Sequence, residues 1–193
     1  MKIETKIESH FRILIALCAS LLMCAGVAPT TLAHMSIAKL THASSLILRA
    51  HCVENSTAWD AGEIWTFTTY EPTEVWKGSA QSRVRVRLLG GRLGNLTSNV
   101  SGVPRFRAGE DVVLFLAPSA RGDFSVVSWV QGTFRIHHGQ RTGEETVTQD
   151  SASFDTFDPS TRQFTASGIR ELPLQQFRSQ VAAALRQESG AQK

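Results

Sequence analysis

Residues 111–117, "DVVLFLA", are apolar on both faces, with Val112, Val113, Leu114, Phe115 and Leu116 in an unbroken row. A half-buried strand alternates apolar with polar, so a short continuous run points to a central strand covered on both sides. The reading sets Val113 and Phe115 toward the core. A "GE" turn precedes the strand, "PSARGD" turns it back into "FSVVSWV", and Gln131-Gly132 leads on into "TFRIHH".

Upstream, "SLILRAHCV" alternates, with Leu46, Leu48, Ala50 and Cys52 on one face and Ile47, Arg49, His51 and Val53 on the other. "ENSTAWDAG" is turn chemistry. "EIWTFTTYEPTEVW" reads as one long strand that must bend, bulge or lie at an edge at Pro72. "SRVRVRLL" is the next strand, and "GRLGNLTSNVSGVPRFRAGE" a glycine-rich loop. These elements make an all-β domain, a small five- to six-stranded bent barrel of OB-like form over residues 34–140.

Helices are expected at the domain's ends. Ser36 is placed to cap a short one at Ile37–Ala43. Pro173 opens another over residues 172–188, where Leu174, Phe177, Val181 and Leu185 form a stripe. Residues 141–171 are polar and acidic and read as a loop.

With Val84, Val86 and Leu88 inward, Arg83, Arg85 and Arg87 face out. A hairpin through "KGSAQ" that sets Val75 opposite Val84 puts Glu74 opposite Arg85 and turns Trp76 outward and Trp65 inward. Arg83, Arg85, Arg87 and Trp76 are therefore the candidate binding residues, with the wet side of a sheet as their simpler role. The acidic Glu144–Asp158 segment is placed to cover the arginines. The net charge of +3 is too mild for a nucleic-acid partner. No aromatic residue interleaves the arginines along the strand, as single-strand binders require.

Residues 1–33 read as a bacterial signal peptide, with Lys2, Lys6 and Arg12 before the apolar run Ile13–Ala28 and a cut after Ala33. The domain is expected to be secreted or periplasmic, with no membrane span after removal of the signal. Of three cysteines only Cys52 lies beyond residue 33, so no disulfide forms within the remaining chain. Its face-mates make Cys52 a buried, inert residue.

Catalytic signatures such as GxSxG, HExxH, CxxC and the phosphate-binding loop are missing. His34 would begin the mature chain, where its amine and ring could chelate copper; His137 and His138 are the other candidate metal ligands. By strand parity His138 joins Phe134 and Ile136 inside, and His137 joins Arg135 outside. No cofactor is expected. The leading expectation is a non-enzymatic domain that binds a protein or cell-envelope partner. A secreted metal-dependent enzyme with copper at His34, or a hydrolase built around the histidines, is the alternative.

Taken in order, "EIWTFTTYEPTEVWKG", "VRVRLLGGRLG", "VPRFRAGEDVVLFL" and "VVSWVQGTFRI" resemble a group of uncharacterised exported bacterial proteins sharing a V-x-K-G, GG, F-x-x-G-E and VLFL layout. The layout is distantly similar to the netrin-like, OB-type domain of metalloproteinase inhibitors, where "KG" also closes a long strand. The resemblance implies a fold and carries over no functional residue.

Overall fold

A computed structural model describes residues 33–139, 143–153, 155–158, 161–165 and 168–191; the expected signal peptide lies outside them, apart from Ala33. The chain is mostly β. Helix α1 (Ile37–Ala43) leads into β1 (Leu46–Asp60), β2 (Glu63–Lys77) and β3 (Val84–Leu89). A small hairpin follows, β4 (Gly91–Leu93) with β5 (Leu96–Ser98), then β6 (Asp111–Pro118), β7 (Phe124–Val126), β8 (Thr133–His138) and β9 (Glu145–Gln149). The chain closes with β10 (Thr156–Asp158), β11 (Gln163–Thr165), β12 (Leu172–Pro173) and helix α2 (Leu174–Ala191).

Eight strands form one mixed sheet in the order β1-β2-β3-β7-β6-β8-β9-β12, and β1 also pairs with β6. The sheet has eight strands rather than five or six because β9 lies in the segment expected to be a loop and β12 at the start of the segment expected to be a helix. β9 pairs with β8, β12 pairs with β9, and β10 with β11 makes a separate hairpin. The polar sequence concealed β9 because only Val147 is apolar in "ETVTQ". Its Gln149 is nonetheless buried, donating to the Gln131 carbonyl at 2.6 Å and accepting from the Ile169 amide at 3.2 Å. Satisfied polar groups can be buried where unsatisfied ones cannot.

β6 separates two cores. Val112, Leu114 and Leu116 pack with Leu46, Leu48 and Val86, while Val113 and Phe115 pack with Ile47, Phe134 and Phe177 under the helices. The expectation of one core side at Val113 and Phe115 is thus corrected to two. Both expected helices are present. The Ser36 hydroxyl accepts from the Lys39 amide at 3.3 Å and caps α1. The α2 stripe Leu174, Phe177 and Val181 is buried.

β1 runs on through "ENSTAWD" to Asp60 instead of turning there. Ala61 (φ 50°) and Gly62 (φ 86°) make a two-residue turn of the type that matches strand twist, and β2 returns along the whole length. Register shifts interrupt the ladder. Thr73 falls between the pairs Arg49↔Glu74 and Ala50↔Pro72, so Pro72 stands beside a bulge. The pairing expected between Val75 and Val84 is replaced by Tyr70↔Val84, with Thr69 opposite Arg85. At φ 75°, with a Cβ position only 2.4 Å from the Ser45 carbonyl oxygen, Gly78 lets the end of β2 lie against the start of β1. The chain reaches β3 only after a further turn. "FSVVSWV" is a strand only as far as Val126, because Ser128 and Trp129 both take φ 50° and break it.

Candidate functional site

The outward face of β2 and β3 is where the expected arginines meet other chemistry. Side-chain alternation puts Arg85 and Arg87 of β3 on that face, with Arg83 just before the strand and Trp65 and Phe67 of β2 beside them. The Arg87 guanidinium sits 3.9 Å from the Trp65 ring centre and 5.9 Å from that of Phe67, and Arg85 sits 5.3 Å from Phe67. The result is a layered stack, Trp65–Arg87–Phe67–Arg85. No aromatic residue interleaves the arginines along β3 itself; the rings come from the neighbouring strand. Trp65, expected inward, belongs to this outer face.

The three arginines differ in exposure. The Arg83 side chain is 62% exposed and reaches Glu71 at 3.2 Å. Arg85 is exposed too, but its Nε donates at 2.5 Å to Asp123, whose side chain is only 4% exposed. Arg87, expected in solvent, is 6% exposed: Trp65 covers it, and its Nη2 donates to Asp60 at 3.1 Å. Asp60 also takes Arg121 at 2.6 Å. None of these carboxylates lies in the acidic segment expected to cover the stripe. Glu145 of that segment instead holds Arg49, and its Asp150 holds Arg135.

Between the turn at 79–81 and the turn at 121–124 a groove of about 570 Å³ opens, lined by Arg83, Arg85, Arg121 and Asp123. Arg121 takes left-handed backbone angles, φ 62° and ψ 28°, which bulky residues rarely adopt. Asp60, Arg121 and Asp123 were missed by sequence reasoning. Asp60 ends β1 and the other two sit on the turn before β7, and only pairing across strands brings them to the arginines.

Trp76 is partly buried and stands apart from Arg83, Arg85 and Arg87. It falls at the register shift between Leu48↔Val75 and Ile47↔Lys77, and α2 covers it, with 6.0 Å between its ring centre and that of Phe177. Val75, expected inward, is 44% exposed.

A second polar cluster gathers His51 of β1 with the start of β6, the end of β8 and the start of β9. His51 Nδ1 is 3.0 Å from Asp111 Oδ1, His138 Nε2 is 2.9 Å from Asp111 Oδ2, and His138 Nδ1 is 3.2 Å from Glu145. His138, expected beside Phe134 and Ile136 in the core, is exposed like His137, because β8 outruns its cover there. Partial burial opposes the charged form of Asp111, but hydrogen bonds from His51 and His138 outweigh it and hold the carboxyl below its usual range. Among the described residues, no group of three or more His, Cys, Asp or Glu is placed to hold a metal ion.

His34 lies at the β10–β11 hairpin, where its amide donates to the Phe157 carbonyl at 2.9 Å. Gln131 ties the adjoining residues, accepting from the Met35 amide at 2.7 Å and donating to the Ala33 carbonyl at 2.8 Å. Cys52 is fully buried among Leu48, Ala50 and Tyr70, and burial pushes its thiol up to about 11. Among the described residues no helix is long and apolar enough to cross a membrane. Compared with family models and with curated proteins, the chain matches none.

Proposed function

We propose that this domain is an exported, non-enzymatic binding module of OB-like barrel form, and that its binding face is the outer side of β2 and β3. The strand pairings support the architecture. They run from β1 through β2, β3, β7 and β6 and return to β1, with the step from β3 to β7 parallel. By analogy of fold, the corresponding face of OB barrels, with the loops beside it, carries their ligands.

The observation that carries the reading is the Trp65–Arg87–Phe67–Arg85 stack, bordered by exposed Arg83 and Arg121. Aromatic and arginine side chains held rigid by their neighbours lose little entropy on contact, which is why they dominate binding surfaces. The partner is a protein or cell-envelope component bearing acidic groups.

The test is capture from envelope and culture fluid on the immobilised protein, beside a variant carrying Arg83→Glu and Arg121→Glu. A partner identified by mass spectrometry should bind again as a purified component, weaken as salt rises and fail on the variant. Equal binding to both proteins would remove this face from the reading. Copper retained at one ion per chain through purification would favour the enzyme alternative at His34.

A further inference from the structure

We propose that the groove between the turns at 79–81 and 121–124 is an oxyanion site, which takes a carboxylate or phosphate group on the open edges of Arg83, Arg85 and Arg121. The inference rests on the binding-module reading and adds the chemistry of what is bound.

Each of the three guanidiniums is anchored along one edge by a carboxylate of the chain: Arg85 by buried Asp123, Arg121 by Asp60 and Arg83 by Glu71. A guanidinium carries five N–H donors in a fixed fork, so one such contact orients the group without exhausting it. Arg85 is the clearest case. Its Nε is committed to Asp123 and its carbon lies 5.3 Å from the Phe67 ring centre, which leaves both Nη groups for another acceptor. Guanidiniums donate and never accept, so the ligand must bring the acceptors, and paired oxygens fit the fork best.

The backbone of Arg121 is a separate sign. Glycine would suit φ 62° without strain, yet arginine stands there, its side chain 70% exposed at the groove. Strain of this kind gathers at ligand sites. The three cations are balanced by Asp60, Glu71 and Asp123, so attraction at a distance is slight. Recognition depends on short-range geometry.

The oxyanion could be a free ion or part of an acidic polypeptide. Two titrations of the ¹⁵N-labelled protein separate these sources, one with inorganic phosphate and one with pentaglutamate, at constant ionic strength. The arginine Nε–Hε resonances of Arg85 and Arg121 should shift saturably with at least one. Response to phosphate identifies a small-anion site, and response to pentaglutamate alone identifies an acidic segment. Arg121→Gly should weaken binding about tenfold or more, as should Arg85→Lys, which keeps the charge and loses the fork. Arg121→Gly should also melt no lower than the parent, so lost binding cannot be blamed on unfolding. If Arg85→Lys fails to fold over buried Asp123, Arg83→Thr, which touches only exposed Glu71, serves in its place. No saturable shift with either probe, or unchanged binding in Arg121→Gly and its companion variant, would overturn the proposal. A partner that binds the face under those circumstances leaves the module reading intact without the oxyanion site.

Discussion

The Arg87 guanidinium lies 3.9 Å from the centre of the Trp65 ring and is almost sealed from solvent, although Arg85 of the same strand and Arg83 just before it are exposed. A stripe of alternating arginines is therefore two kinds of residue. One is part of a buried stack, and two border an open groove.

Stability measurements should separate them. Arg87→Ala removes the stack and leaves Asp60 with Arg121 alone, and should cost about 2–4 kcal/mol in urea denaturation, in the range for breaking a buried pair with a remaining partner. Arg83→Thr should cost ~0–1 kcal/mol, as exposed ion pairs do. Equal costs at the two positions would contradict the burial assigned to Arg87.

Cys52 should be silent in the folded protein. With its thiol raised to about 11, native protein at pH 8 should react with a disulfide reagent only as fast as it unfolds, and should react fully in denaturant. Cys52→Ala should cost about 1–3 kcal/mol because it removes contacts at a fully buried position. Fast labelling of native protein would show that the core opens at β1.

Acid should weaken the fold through Asp111. Its carboxyl is held below the usual value by His51 and His138 against the opposing effect of burial, so the folded state favours the ionised form. That stabilisation is present above the unfolded carboxylate pKa, about 3.9, and is lost as pH falls through the lower folded value. Asp111→Asn should flatten this acid limb of a melting-temperature profile while changing the profile near pH 7 by a constant offset. An unchanged acid limb would assign the loss to other carboxylates.

The two cores should respond separately to truncation. Val86→Ala, on the side of Leu114 and Leu116, should cost about 1–3 kcal/mol, and Phe177→Ala, where α2 meets Phe115 and Phe134, about 3–5 kcal/mol. Amide exchange in Phe177→Ala should rise first in α2 and β9. A uniform rise would mean that the helix side and the strand side melt as one.

Much of this was legible because it depends on local periodicity. Val84, Val86 and Leu88 alternate and are buried, "DVVLFLA" is covered on both sides, Cys52 lies in the core, and Ser36 caps α1 where its hydroxyl predicted. What could not be read depends on register. β3 meets β2 at Tyr70↔Val84 rather than at Val75, and this changes the cross-strand partners of Arg85 and Arg87. "ENSTAWD" has the composition of a turn, yet Asn55 accepts from the Thr68 hydroxyl at 2.6 Å and donates to the Phe106 carbonyl at 3.0 Å, so its side chain supports a strand. His138 obeyed its parity only as far as the helices extend over β8.

The tie made by Gln131 bears on the order of events in this protein's life. Gln131 takes the carbonyl of Ala33, and Phe157 takes the amide of His34, so both polar groups of the Ala33–His34 peptide are already engaged. A peptidase cutting there needs that same carbonyl for its oxyanion donors and that same stretch extended in its own cleft. Docking onto Gln131 and hydrolysis of the bond are competing fates of one peptide group. If the chain is cut after Ala33, as its sequence predicts, the cut must precede closure of the domain, because a chain that folds first shields its own junction.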